Sequence, residues 1–320
     1  MRGAGRFAAR VLILNTLAPV FLLVALGALL QRTSFVSVNF LKEGNRLTYY
    51  LGLPALLFSQ LAGAFHEAAG ARPMLGAMWG ATLAGIVVAY GVAWVMRVPE
   101  AARGTFVQGA FRGNLAFVGL PIIYALPEVA LGAGLTTRSA AVIVVAPMMV
   151  FFNVAAVVVL LLSQHPLSWK MARPFFKQLA TTPPLVATVA GVSCALLGWK
   201  LPASLDKTFA ALGEMALPLG LLGVGGSIVT SKLGGAWRRP LASALVKTVA
   251  APLLGWGVGR WLGLDAAELK IVMILMACPV AVVSYTMALE MKGDEGIASG
   301  AVVLSVLTSL VTLAVIIGVF

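Results

Sequence analysis

The sequence predicts an all-α polytopic membrane protein, with ten transmembrane helices arranged as two inverted five-helix repeats and with broken, crossing helices at the fourth and ninth positions. Three observations carry that prediction. Hydrophobic residues make up 60% of the 320 and charged ones only 11%, and a mean hydropathy of +0.99 lies outside the range of soluble domains. Windows of about 20 residues, the length that crosses a bilayer as a helix, give ten apolar spans. Finally, Pro19, Pro54 and Pro121 are matched in the second half by Pro183, Pro218 and Pro279, at spacings of 164, 164 and 158 residues.

The spans run approximately over 11–31, 44–63, 74–96, 104–126, 139–163, 182–199, 207–230, 239–262, 268–289 and 296–319. Their short connections leave no room for a soluble domain. Residues 1–163 form the first repeat, 164–181 a short basic cytoplasmic linker, and 182–320 the second repeat. Five spans per half is an odd number, so the second half enters the membrane in the opposite sense. The basic tail before span 1 mimics a signal peptide, but the apolar stretch from Val11 to Leu30 is longer than a signal core and favours a retained span.

The net charge of +12 does not point to nucleic acid, because the basic residues sit at span ends rather than in one patch. The loops on one side hold thirteen: Arg32, Lys42, Arg46, Arg97, Arg103, Arg112, Lys170, Arg173, Lys177, Lys232, Arg238, Arg239 and Lys292. The other side holds nine, three of them in the tail (Arg2, Arg6 and Arg10). Positive-inside asymmetry therefore puts both termini on the non-cytoplasmic side, against the pull of the basic tail. Cys194 and Cys278 lie inside spans without metal-ligand spacing and read as buried, inert residues.

Spans 2 and 7 carry mid-span prolines, in Leu53-Pro54-Ala55-Leu56-Leu57 and Leu217-Pro218-Leu219-Gly220-Leu221-Leu222. Kinked packing explains these as well as any direct role does. In spans 4 and 9, Pro121 and Pro279 interrupt apolar runs and suit the first position of a new half-helix. A helix broken at membrane depth leaves backbone groups that lipid cannot satisfy, so such breaks persist where they are buried or line a watery cavity. A two-fold axis in the membrane plane would cross the two breaks, bringing two positive half-helix starts to one cavity, which suits a carboxylate. Around the prolines, Leu120 and Ile122 on one arm and Val280, Val283, Ser284 and Tyr285 on the other are the candidate lining residues.

Asn114, seven residues before Pro121, can donate to a carboxylate without the cost of a buried charge, or can simply bond a neighbouring helix. Tyr285 can equally be a packing residue with its hydroxyl at a polar seam. For Asn45 and Asn153 a structural role leads. Lys247 is the clearest ionisable residue inside a span; it either snorkels to the basic side or acts as a countercharge at the crossing. The countercharge reading is favoured over direct substrate contact. Of eleven acids, Glu214 near the start of span 7 is the best candidate within the membrane, as electrostatic support, while Glu290 closes span 9. Neither His66 nor His165 falls convincingly within a span. No metal, cofactor or catalytic motif stands out, so an enzyme is not expected.

These residues resemble the auxin efflux carrier family, which includes the plant PIN-type auxin exporters and bacterial carriers of malate, malonate and similar acids. The resemblance covers nearly the whole chain. It runs through Gly44-Asn45-Arg46 and Leu53 to Phe58, Asn114 to Pro121, Lys247 before Pro252, Cys278-Pro279, and the turn from Glu290 to Gly296. It implies a scaffold of helices 1, 2, 6 and 7, a transport domain of helices 3–5 and 8–10, an elevator-like movement and a homodimer through the scaffold. It also implies that Asn114, Pro121 and Pro279 contact a substrate carboxylate. Two departures stand out. The third span, Leu75 to Met96, lacks the acidic residue of PIN-type carriers, and their long cytosolic loop is absent. The expected function is a secondary carrier of small organic anions in the cell (inner) membrane. A sodium-coupled symporter of the bile-acid type and a membrane ligand sensor are the alternatives.

Overall fold

In the computed structural model the described residues are 18–19, 21–62, 71–131, 135–164, 177, 180–199, 201–230 and 237–319. The basic tail, His66, His165 and most of the predicted linker lie outside them. The described chain is helical, with two isolated bridges and no strand. Among the described residues, five helices are long and apolar enough to cross a membrane: Arg72–Val95, Thr137–Gln164, Ala203–Gly226, Arg238–Trp261 and Glu295–Val319.

In chain order the helices are α1 (Phe21–Arg32), α2 (Val38–Leu47), α3 (Leu53–Ala62), α4 (Arg72–Val95), α5 (Glu100–Phe111), α6 (Leu120–Ala125) and α7 (Thr137–Gln164). There follow α8 (Pro183–Leu196), α9 (Ala203–Glu214), α10 (Ala216–Thr230), α11 (Arg238–Leu245), α12 (Ala251–Trp261), α13 (Ala266–Ala277), α14 (Val283–Glu290) and α15 (Glu295–Val319). Local sequence sets their ends. Ser37 caps α2 by accepting from the Phe40 amide, and Asp265 and Glu268 form a reciprocal capping box at the start of α13. Arg97 and Gly263, at φ of 50° and 78°, turn the chain sharply after α4 and α12.

Three π-helical turns run directly into the helix that follows them: Thr48–Gly52 into α3, Leu115–Gly119 into α6 and Val246–Ala250 into α12. Each ends two residues before a proline, namely Pro54, Pro121 and Pro252. A proline cannot donate to the carbonyl four residues back, and its ring crowds that carbonyl. Widening the preceding turn to an i→i−5 pattern relieves the clash while the helix continues. In all three cases the amide of the residue after the π turn bonds the first carbonyl of that turn.

Two sets of helices pack mainly among themselves. One comprises α2, α3, α8, α9 and α10; the other is built from α4, α5, α7 and α11 to α15. They meet where α10 lies against α14 and α15, where α2 and the turn after it lie against α14, and where α7 lies against α8. Among the described residues, side-chain hydrogen bonds join the sets where Asn45 Nδ2 donates to Glu290 Oε1, Tyr285 Oη to the Gly223 carbonyl, and Asn153 Nδ2 to Thr188 Oγ1.

Candidate functional site

The fourth helical region breaks at Arg112, Gly113 and Asn114, seven residues earlier than the proline-based expectation. After α5 the chain becomes extended at Arg112 (φ −81°, ψ 99°), and Asn114 caps the π turn that leads into α6. Pro121 therefore sits inside the second half-helix rather than at its start, because the π turn absorbs it. The reason lies in the residue types. Glycine yields readily to extended backbone, and asparagine is a strong N-cap, its Oδ1 accepting from the Phe117 amide at 3.3 Å. The other region breaks where the sequence placed it. Helix α13 ends at Ala277, Cys278 is extended (φ −55°, ψ 143°), and α14 begins at Val283.

The two breaks cross and share hydrogen bonds. The Asn114 amide donates to the Pro279 carbonyl at 2.8 Å, and the Ala281 amide donates to the Arg112 carbonyl at 3.0 Å. Gly113 and Val280 thus form an isolated antiparallel bridge. The Val280 amide in turn donates to Ser305 Oγ on α15 at 2.9 Å. Each unwound segment thus supplies a hydrogen-bond partner to the other, which meets part of the need that lipid could not.

Two buried cations stand at the crossing. Lys247 is fully buried, and its ammonium donates to the Met276 carbonyl in the last turn of α13. It is therefore a cation against the negative end of a half-helix, and it does not reach the basic side. Arg112, 4% exposed, donates to Asn153 Oδ1 and lies beside the Met287 sulfur. It had been counted among the loop charges, and the structure corrects that: the guanidinium is in the interior. A usable signal was present, since Arg112 falls well inside the apolar span 104–126. Among the described residues the ion pairs are Arg103–Glu100 and Arg138–Glu128, so neither buried cation has a carboxylate partner among them.

Two cavities flank Asn114. The larger, about 430 Å³ of unfilled space that includes open solvent, is lined by Arg112, Asn114, Asn153, Phe117 and Val283, together with Leu115–Ala116 at the start of one half-helix and Ala281 just before the other. The smaller, about 310 Å³, lies on the α3 and α10 side and adds Thr48, Leu217 and Thr286. Of the residues expected at the site, the structure brings together Asn114, Pro279, Val280 and Val283. Leu120, Pro121 and Ile122 line neither cavity; Pro121 is exposed and Ile122 is fully buried. Ser284 is buried, with an Oγ that has no hydrogen-bond partner, and it also lies outside both cavities. Tyr285 points to the Gly223 carbonyl, at 3.1 Å, and to Glu295. Glu214 is exposed at the end of α9 and lines neither cavity, because its side chain leaves the helix on the outward face. Not expected at the cavities from sequence were Arg112, Phe117, Ala281 and the hydroxyls of Thr48 and Thr286, while Asn153, for which sequence favours a structural role, lines the larger one.

A crossing of two interrupted helices inside an apolar bundle is the architecture expected of a transporter, and a family comparison decides the matter. A family model described as membrane transport protein matches residues 12–317. The chain belongs to this family of auxin efflux carriers. Among curated proteins none matches it. Membership in the membrane transport protein family, with several long apolar helices, makes it a multi-pass membrane protein of a transporter family rather than an enzyme family.

Proposed function

We propose that this protein is a secondary carrier of small organic anions, mono- or dicarboxylates, working by alternating access in the cell (inner) membrane. One observation carries the reading: two half-helices begin at Leu115 and Val283 beside the same cavity, and Arg112 lines it too. Helix starts carry partial positive charge and free amides. Together with an arginine they form a field that favours an anion and disfavours a cation.

In this reading the helices make ten crossings, with both termini on the non-cytoplasmic side. Helix α5 has twelve residues, about 18 Å of rise, so the break falls near mid-depth of a hydrocarbon core about 30 Å thick. The set containing α4, α5, α7 and α11 to α15 moves as an elevator against the other set, which also supports a homodimer. The packing of each set mainly within itself is what supports this division. The test is reconstitution in proteoliposomes with a radiolabelled carboxylate and an imposed potential. Saturable flux should follow the potential, since one charge gains about 2.3 kcal/mol per 100 mV. Binding without flux would instead mark a sensor, and an absolute need for sodium would mark a symporter.

A further inference from the structure

We propose that Arg112 is the side chain that takes the cargo's carboxylate, and that the Asn153 carboxamide competes with cargo for the same guanidinium. This rests on the reading of the crossing as an anion site and names the charged group within it. The starting point is an imbalance. Arg112 is 4% exposed and Asn153 1% exposed, yet the chain offers the guanidinium a neutral amide oxygen and a thioether sulfur instead of a carboxylate. A buried charge is costly unless it is paired and fully hydrogen-bonded, and a planar guanidinium has five donors in a fork that matches a carboxylate. Arg112, Asn153 and Asn114 all line one cavity, where a carboxylate could meet the unmet part of that fork.

Asn153 is held rather than free to turn away. Its Nδ2 donates to Thr188 Oγ1 at 3.1 Å, and Thr188 Oγ1 donates to the Pro184 carbonyl at 2.8 Å on α8. This fixes the carboxamide with its oxygen toward Arg112, where it acts as a weak neutral stand-in for a carboxylate. Asn114 approaches the same cavity from the other side. Its Oδ1 is used by the Phe117 amide, so the group it has left for a ligand is its NH₂. A carboxylate seated between Arg112 and Asn114 would meet donors on both sides.

Substituting Asn153→Asp isolates this idea, because it changes charge with almost no change of shape. A carboxylate fixed on Arg112 should pair the guanidinium permanently. The protein should then melt at a higher temperature, and its response to anions should be lost. The experiment uses the full chain in nanodiscs, titrated with sodium acetate, malonate, succinate and citrate, with sodium chloride and sodium sulfate as controls. Affinity and melting temperature are recorded for the unmodified protein, Arg112→Lys, Arg112→Gln and Asn153→Asp. For the carboxylate bound best, Arg112→Gln should weaken affinity by about 30-fold or more, the scale of a lost charge-assisted pair, and Arg112→Lys by about tenfold.

Unchanged affinity in a folded Arg112→Gln protein overturns the assignment while leaving the anion reading of the crossing in place. If no anion in the series affects the unmodified protein, both readings fall. Should Arg112→Gln fail to fold, Asn153→Asp still decides. A lower melting temperature, or retained carboxylate affinity, shows that Asn153 does not stand in for cargo and overturns the proposal.

Discussion

The Asn114 amide donates to the Pro279 carbonyl at 2.8 Å, and this bond ties one broken helix to the other. Its reciprocal partner, Ala281 to the Arg112 carbonyl, completes a two-bond bridge around Gly113 and Val280. The bridge fixes the relative height of the two half-helix starts, so any change that moves one start moves the other.

Asn114 has two separable roles, as N-cap and as donor to the cavity. Asn114→Ala removes both and should cost about 1 kcal/mol of stability through the lost cap. Asn114→Asp keeps an equally good cap but exchanges the donor for an acceptor. Thermal melts should therefore place the Asp variant near the unmodified protein, while carboxylate titration shows binding lost in both. An Asp variant that still bound carboxylate would remove Asn114 from the site.

The chain passes Lys247 with no room to spare at Gly113. A methyl group there would come within 2.9 Å of Lys247 Cε and 3.1 Å of Nζ, so Gly113→Ala must displace the lysine or open the bridge. The expected loss is about 1–3 kcal/mol, typical of overpacking. Lys247→Ala alone also destabilises, by leaving a cavity and by removing the cation from the Met276 carbonyl. Because the two residues touch, the double variant should lose less than the sum of the singles. A strictly additive result in a double-mutant cycle of melting free energies would contradict the contact.

The proline positions separate what was legible in the sequence from what was not. Pro279 marked its break because no π turn precedes it and Cys278 is forced out of the helical region. Pro121 misled because Leu115–Gly119 widens ahead of it, and periodicity cannot reveal a widened turn. The Gly113-Asn114 pair carried the missed signal, a flexible residue followed by a helix cap in the middle of an apolar span. Arg112 was hidden by the habit of assigning basic residues to loops, and Asn153 by its distance in sequence from the crossing. The burial of Lys247 could be reasoned from its neighbours. Its bond to Met276 depended on how two distant helices meet.

That difference gives a paired prediction. Pro121→Ala restores a donor at an exposed position of α6 and should leave carboxylate affinity within about twofold, since surface changes away from a site cost little. Pro279→Ala supplies an amide where the break needs none and lets α13 extend, weakening the bridge to Asn114. Its affinity should fall at least tenfold, or about 1.4 kcal/mol. Equal effects of the two substitutions on the same titration would return the break to Pro121.

The contact between α10 and α14 offers a way to separate binding from movement. Tyr285 packs over Gly223, where an added Cβ would lie 3.2 Å from Cε1 of the ring, and its hydroxyl donates to the Gly223 carbonyl. Neither residue lines a cavity at the crossing. If the helix set carrying α14 slides past α10, this smooth spot must be crossed in every cycle. Gly223→Ile puts a branched side chain in that path and should slow carboxylate flux in proteoliposomes by at least tenfold, with affinity nearly unchanged. Tyr285→Phe removes the hydrogen bond without adding bulk and should spare binding while altering the rate, because the cost of parting the surfaces falls by about 1 kcal/mol. Flux unaffected by Gly223→Ile would mean that these two surfaces do not move past each other, and the elevator division of the helices would have to be redrawn.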